Sequence, residues 1–375
     1  MKIGYFANVT GPGRRNEFPQ VLQEVREQAL LCEEAGFHSI WFTEHHFGHE
    51  GFELISNPLL MGADIAARTE RIRIGQAANI ITYWHPLRLA EDIALLDQLS
   101  GGRVEIGLGR GVYGREQVNL NQAAQLENEE QNRALFEETF DILKKAFSSE
   151  FFAHQGDFYT IPFPNTKWKH PLSPPSDAFM NADGTIAKLG LVPRPVQQPF
   201  PPFWQVIDSP RSIQWAAQHQ VNGIFWMPTI RELAKRFGLY QRLSSEASGR
   251  EVPLGEGLAL VRDVYVADTM DQAREEAGQA VTDYYKWVCH WRGLGNLMNP
   301  GEAVTPEMTL SYEFLHPRNL LFGTPAYVID KIRELKSELN LQYLLLFSTF
   351  PGLSHANVMK SLKLFQTQVL PHVVD

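Results

Sequence analysis

Residues Ile72–Gly111, IRIGQAANIITYWHPLRLAEDIALLDQLSGGRVEIGLGRG, carry the pattern that decides the fold. The stretch opens on an apolar run of strand length, Ile72–Ala77. It passes through Pro86–Leu99, where apolar residues return at helical spacing, and closes on a second apolar run, Arg103–Leu108. Pro86 sits at a first helical turn, where the missing N–H does no harm. Gly101 and Gly102 follow the last turn, where a left-handed residue ends the helix. Strand, helix and strand in this order predict a parallel βαβ unit.

The same alternation extends in both directions. Candidate strands are Lys2–Phe6, Ser39–Thr43, Ile72–Ala77, Arg103–Leu108, Phe203–Val206, Gly223–Trp226, Leu258–Tyr265 and Gln342–Phe347. Helical segments lie between them at Pro19–Ala35, Pro58–Arg68, Pro86–Leu99, Glu129–Phe147, Ser209–His219, Ile230–Ala247, Met270–Trp291 and Tyr327–Leu339. A last helix, Ser354–Leu370, closes the chain. Eight repeats predict an α/β fold of the TIM (β/α)8 type, and 375 residues suit one such barrel with insertions. A doubly wound open sheet is the rival, and strand order separates the two.

Two stretches break the rhythm. Residues 148–202 hold ten prolines from Pro162 to Pro202 and read as an insertion after strand 4, running over the surface. Residues 292–324, rich in Gly, Asn and Pro, precede strand 8 and read as a lid or as a plain surface excursion. The chain is therefore expected to be a single barrel domain over 1–375.

The formal net charge of −9 argues against a nucleic-acid or anionic-membrane partner. The two cysteines, Cys32 and Cys289, lie far apart and in no metal spacing, which fits a reducing cytosol. Met1–Phe6 reads as a strand rather than a signal peptide, and no stretch has the apolar length to span a bilayer. The expected location is the cytoplasm.

In a barrel the active site lies at the carboxyl ends of the strands. After strand 2 comes Glu44-His45-His46-Phe47, a carboxylate beside two imidazoles. After strand 3 come the small residues Ala77-Ala78-Asn79, where a flat group can lie on the backbone. After strand 4 comes a glycine-rich loop around Arg110. After strand 5 comes Ile207-Asp208-Ser209-Pro210-Arg211-Ser212, whose hydroxyls and helix N–H groups suit an anion. Arg110 and the Ser209/Ser212 helix start together predict a phosphate clamp.

Plainer alternatives stand beside these. Glu44, His45, His46 and His49 are metal-ligand types, but their loop spacing argues against a metal, and none is assigned. Gly109-x-Gly111-x-x-Gly114 imitates a dinucleotide fingerprint, but the next predicted helix starts only near Glu129. Ser209 alone is an ordinary N-cap.

Taken in order, a series of blocks resembles the bacterial luciferase-like flavin monooxygenases, and among them the catalytic α subunits of luciferase. The blocks are Met1-Lys2-Ile3-Gly4, Glu34-Ala35-Gly36-Phe37, Glu44-His45-His46-Phe47, His85-Pro86-Leu87-Arg88, Leu95–Arg103, Arg110-Gly111-x-Tyr113, Asn132-Arg133-Ala134-Leu135, Ser311-Tyr312-Glu313 and Gly323-Thr324-Pro325. The resemblance implies a TIM barrel that uses reduced FMN. It implies that Ala77-Ala78 is a non-proline cis peptide against the flavin ring. Arg110, Arg133, Asp208, Ser209 and Ser212 match positions around the phosphate. Glu44 matches a residue near the isoalloxazine, and Glu91 another carboxylate near the site. Val112, Ile207, Ile224 and Trp226 complete the cofactor-binding set. His45 matches the histidine held to be catalytic, with Glu44 and with Glu116 on the loop after strand 4.

Two departures bear on function. Gly109 stands where the luciferase α subunit has a reactive cysteine, which argues against light emission. Trp226-Met227 stands where it has a serine–tryptophan pair. The implied reaction runs through a flavin hydroperoxide that oxygenates a small hydrophobic organic substrate. That species decays in water, so the site must exclude solvent. Phe6, Trp41, Trp84, Tyr113 and Trp226 are candidates for that pocket, or plain core. His45 is the expected proton carrier, tuned by Glu44. No nicotinamide site is legible, so a separate NAD(P)H:flavin reductase is expected, with O2 as co-substrate and a homodimer as the assembly. The rival functions are a deazaflavin-dependent oxidoreductase, a metal hydrolase using His45, His46 and His49, and a noncatalytic flavin-binding subunit.

Overall fold

All eight apolar runs form strands. The structure, a computed structural model, describes residues 1–374, Arg15 by its backbone alone. The strands are β1 (Lys2–Ala7), β2 (Ser39–Phe42), β3 (Arg73–Gln76), β4 (Val104–Gly109), β5 (Phe203–Val206), β6 (Asn222–Phe225), β7 (Leu258–Val266) and β8 (Tyr343–Phe347). Parallel pairing runs from each strand to the next, and β8 pairs back onto β1. A sheet whose eighth strand pairs back onto its first is closed, so the fold is a TIM barrel and the open-sheet rival is excluded.

The chain forms two compact units. The first holds Met1–Asn79, Glu105–Leu108 and everything from Pro202 onward; the second holds Ile80–Val104 and Gly109–Pro201.

In the first unit, side-chain alternation sends Ser39 and Trp41 of β2 inward. Trp41 meets Trp204 of β5 edge-on, with ring centroids 5.6 Å apart, and Trp204 meets Tyr343 of β8 at 5.6 Å. Neither pair comes from adjacent strands, so these contacts cross the barrel interior. The Trp41 Nε1–H donates to Ser39 Oγ (2.7 Å). Arg73 pairs with Glu105, which also accepts from Trp204 Nε1. The barrel therefore contains a satisfied polar layer within an apolar core. Gly75 of β3 makes room for it, because a Cβ there would lie 2.2 Å from the Trp41 ring.

The helix Ile230–Ser248 carries Gly238 in its interior, with open space around a built Cβ. Glycine costs roughly 0.5–1 kcal/mol relative to alanine in a helix interior. Gly238→Ala should therefore raise the unfolding free energy by about that amount in a urea titration. An unchanged or lowered midpoint would contradict this placement.

Residues 292–324 are more ordered than the sequence suggests. They include a helix at Tyr312–Asn319, capped by Ser311 and carrying Pro317, and a strand at Leu320–Gly323 that pairs with β7. Pro317 hid the helix, since an interior proline normally ends one.

In the second unit the helices Pro86–Ser100 and Glu129–Ser148 pack against each other. His85 Nδ1 caps the first by accepting from Leu87 N–H, and Gly101 ends it at φ +66°. A short helix, Gly114–Leu120, follows β4. Gly114 therefore does open a helix, contrary to the expectation that none begins before Glu129. Seven residues with no strong apolar stripe are hard to see in sequence. The proline-rich insertion contains a small antiparallel pair, His154–Gln155 with Thr160–Ile161, and isolated bridges. No helix among the described residues is long and apolar enough to cross a membrane.

Candidate active site

The first unit brings the β2, β3, β5 and β6 ends together with the helix Met270–Arg292. Past β2, Glu44 is 1% exposed and accepts from His46 Nε2 at 3.0 Å. The His45 backbone N–H donates to Ile55 O (2.8 Å), so the loop 45–57 folds back on itself. That loop is zipped to the segment after β1: Leu54 N–H donates to Val9 O, Gly11 N–H to Gly51 O, and Asn8 Nδ2 to Phe52 O. Gly51, at φ +83°, approaches Gly11 so closely that a Cβ would sit 2.7 Å from its carbonyl oxygen. His45 is thereby held near Glu53, with Nε2 3.7 Å from Oε1. Tyr284 donates its hydroxyl to the same oxygen at 3.0 Å.

Past β3, Ala77 N–H donates to Phe42 O, and the Ala77–Ala78 peptide bond is cis. It is the bond that the resemblance singles out. Thr43 continues the inward alternation of Ser39 and Trp41, and its buried hydroxyl has no hydrogen-bond partner within the protein. An unsatisfied buried hydroxyl costs about 1–3 kcal/mol. A bound molecule with a polar edge would relieve that cost, and the two neighbouring alanines put only methyl groups in its way.

Past β5, Ile207 is buried and the helix Pro210–Gln218 begins. Ser209 and Ser212 form a reciprocal capping box, each side chain meeting the other's backbone N–H. The Asp208 carboxylate pairs with Arg292 at 2.8 Å, and its carbonyl oxygen accepts from Arg236 at 2.6 Å. Two guanidinium groups thus stand near the start of this helix, each paired with a carboxylate, Arg292 with Asp208 and Arg236 with Glu232 at 3.0 Å, and the helix end itself favours an anion. Past β6, buried Ile224 leads to Trp226, whose ring is flanked by Tyr284, Tyr285 and Phe347 at 5.8–6.0 Å.

Beneath Trp226 lies a buried pair in β7. Arg262 donates to the carbonyl oxygens of Trp226 and Pro228, and Asp263 accepts from the Tyr285 hydroxyl at 2.6 Å. Burial pushes the Asp263 carboxyl up to about 6 and the Arg262 guanidinium down to about 10.

The second unit gathers the remaining predicted residues unevenly. Arg110 donates to Asn132 Oδ1 (3.0 Å), and Arg110 and Arg133 share Glu129 at 3.7 and 3.1 Å. Val112 is half-buried beside Gly111, which is left-handed at φ +86°. Glu116 is buried in the short helix. Glu91 stands apart on an exposed helix face, 3.9 Å from Arg88. His49 is exposed and pairs with Glu50. Among the described residues no group of three or more His, Cys, Asp or Glu side chains could hold a metal ion.

Sequence reasoning missed Glu53, Tyr284, Arg236 and Arg292. Glu53 lies in a loop with no periodicity, and the other three sit on helices whose facing partners are set by the fold.

The family model described as luciferase-like monooxygenase matches residues 1–340. The chain belongs to this family. A flavin-dependent trigonelline monooxygenase, oxygenase component, from Acinetobacter baylyi is 24% identical over 99% of this chain and 95% of its own. An alkanal monooxygenase alpha chain from Photorhabdus luminescens is 25% identical over 66% of this chain and 59% of its own. Among solved structures, the oxygenating constituent of 3,6-diketocamphane monooxygenase from Pseudomonas putida, a type II Baeyer-Villiger monooxygenase in complex with FMN, superposes with a TM-score of 0.78. It shares 22% identity, over 100% of this chain and 99% of that one. For this luciferase-like monooxygenase the enzyme class read from the sequence, a flavin-dependent monooxygenase, therefore holds.

Proposed function

We propose that this luciferase-like monooxygenase is the oxygenase component of a two-component system. It would take reduced FMN from a separate NAD(P)H:flavin reductase and insert one atom of O2 into a small hydrophobic organic substrate. The observation that carries this is the strand-end constellation itself. A half-buried imidazole beside a buried carboxylate, His45 with Glu53, stands at the same barrel end as a ring cluster of Trp226, Tyr284 and Phe347. The name of the Acinetobacter relative, an oxygenase component, supports the division of labour.

FMN fits the residues present. Ala77 and Ala78 put only methyl groups beside the unsatisfied Thr43 hydroxyl, and Ser209, Ser212, Arg236 and Arg292 suit a phosphate. On resemblance alone, Arg110, Val112, Arg133, Glu91 and Glu116 are assigned to the cofactor as well, as are Ile207, Asp208 and Ile224 of the first unit. Reduced FMN, when bound, supplies the two electrons that let O2 give one oxygen to the substrate and the other to water.

The protein's own groups do the rest. The His45 imidazole, with its Nε2 turned to Glu53, holds or delivers the proton that forming water requires, and an imidazole suits this role. Glu44 orients the strand end through His46. Trp226, Tyr284, Phe347 and Phe350 keep water out and provide an apolar wall for the substrate. The chain is assigned to the cytoplasm as a homodimer.

Rapid mixing tests the proposal. Protein loaded with reduced FMN without oxygen is mixed with oxygenated buffer, and the absorbance is followed. A phase that outlives the oxidation of free reduced FMN, and that candidate substrates alter, is the expected result. Immediate return of free oxidised FMN would overturn it. Robust NAD(P)H oxidation by the purified chain alone would remove the separate reductase.

A further inference from the structure

Two carboxylates stand at the β2 end, each within reach of an imidazole. Glu44 takes His46, with Nε2 at 3.0 Å. Glu53, 7% exposed, stands 3.7 Å from His45 Nε2. Glu53 has no arginine or lysine partner among the described residues; its other partner is the neutral Tyr284 hydroxyl, at 3.0 Å on the same Oε1. A carboxylate buried without a fixed cation favours positive charge on any titratable neighbour within reach. His45 is that neighbour. Tyr284 is a donor throughout the neutral range, so it competes with His45 for one carboxylate oxygen.

Every element packed on this corner contributes to the arrangement. The loop zipped to residues 8–11 fixes Glu53, and Phe52 locks against Trp287 with ring centroids 5.3 Å apart. The helix Met270–Arg292 thus presents Tyr284 and anchors the loop that presents Glu53. The titratable groups facing His45 include Glu53 and, through it, Tyr284; Glu44 and His46 adjoin it along the strand end and pair with each other. His49 and Glu50 pair with each other farther along the loop, at 3.6 Å.

We propose that Glu53 is a positioning residue that holds the His45 ring at Nε2 and sets its protonation, with the Tyr284 hydroxyl weakening that hold. Its consequence for turnover rests on the proposed function; its consequence for the His45 proton does not. Removing the carboxylate charge should make His45 harder to protonate. Removing the competing hydroxyl should make it easier. The two substitutions therefore act in opposite directions, which a general loss of packing would not produce.

The decisive measurement is the titration of His45 in ligand-free protein, followed by its ring NMR signals and assigned by their loss in His45→Ala. Glu53→Gln should lower the His45 midpoint by about one pH unit, the scale of one close opposite charge. Tyr284→Phe should raise it by less than a unit, and Glu53→Asp, which keeps the charge on a shorter stem, should fall between wild type and Glu53→Gln. In turnover, the limb of the pH–rate profile belonging to His45 should move with the same sign in each variant. A His45 midpoint unmoved by Glu53→Gln, or lowered by Tyr284→Phe, would overturn the proposal whether or not the protein oxygenates anything. A midpoint that moves while the pH–rate limb stays fixed would overturn the role in turnover. Should Glu53→Gln fail to fold, the Tyr284→Phe and Glu53→Asp titrations decide alone.

Discussion

His45→Ala is expected to cut oxygenation by roughly 10²–10⁴-fold, the range that a positioned proton-transfer group contributes. The substitution should spare the fold. What ties residue 45 to its loop is the backbone N–H bonded to Ile55 O, and that bond survives loss of the ring. Affinity for FMN should also change little, because the groups assigned to the phosphate lie past β5, at Ser209, Ser212, Arg236 and Arg292. The expected signature is therefore a fall in kcat with near-normal flavin binding and a thermal midpoint within a few degrees of wild type. Single-turnover product yield with supplied reduced FMN is the measurement. Full yield at the normal rate would remove His45 from the chemistry and favour a noncatalytic role for the strand end.

The second large effect concerns the scaffold. A Cβ on Gly107 of β4 would lie 1.5 Å from the carbonyl oxygen of Gln76 in β3. That neighbour is backbone, so no rotamer change relieves the clash, and the two strands would have to part. Overpacking a core usually costs about 1–3 kcal/mol, and a backbone collision belongs at or beyond the upper end. Gly107→Ala should lose more than about 3 kcal/mol of unfolding free energy or fail to accumulate as folded protein. Gly238→Ala serves as the control, since the same chemical change there meets open space. A Gly107→Ala urea midpoint close to wild type would mean that β3 and β4 do not approach as described.

Much of this protein was legible one segment at a time. All eight barrel strands fall within a residue or so of the apolar runs that announce them. Proline and glycine signals marked helix ends correctly, as at Pro86 and Gly101, because capping is decided within a few residues. The Glu44-His45-His46 block could be placed at a strand end for the same reason. Short or interrupted elements escaped: the helix Gly114–Leu120 has too few turns for a pattern, and Pro317 masks the helix Tyr312–Asn319.

Partnerships between distant residues lay beyond any local signal. Tyr284 reaches Glu53 across 231 positions, Arg292 reaches Asp208 across 84, and Trp41 meets the Tyr343 hydroxyl across 302. Closure of the barrel, the glycine at 75 that admits Trp41, and the carboxylate that stands behind His45 belong to this class. The sequence by itself determined which residues form strands, which end helices and which polar groups sit at strand ends, because backbone sterics and apolar periodicity act over a few residues. Only the tertiary structure decided which of those groups face one another, because side-chain pairing depends on the register and curvature of the whole closed sheet.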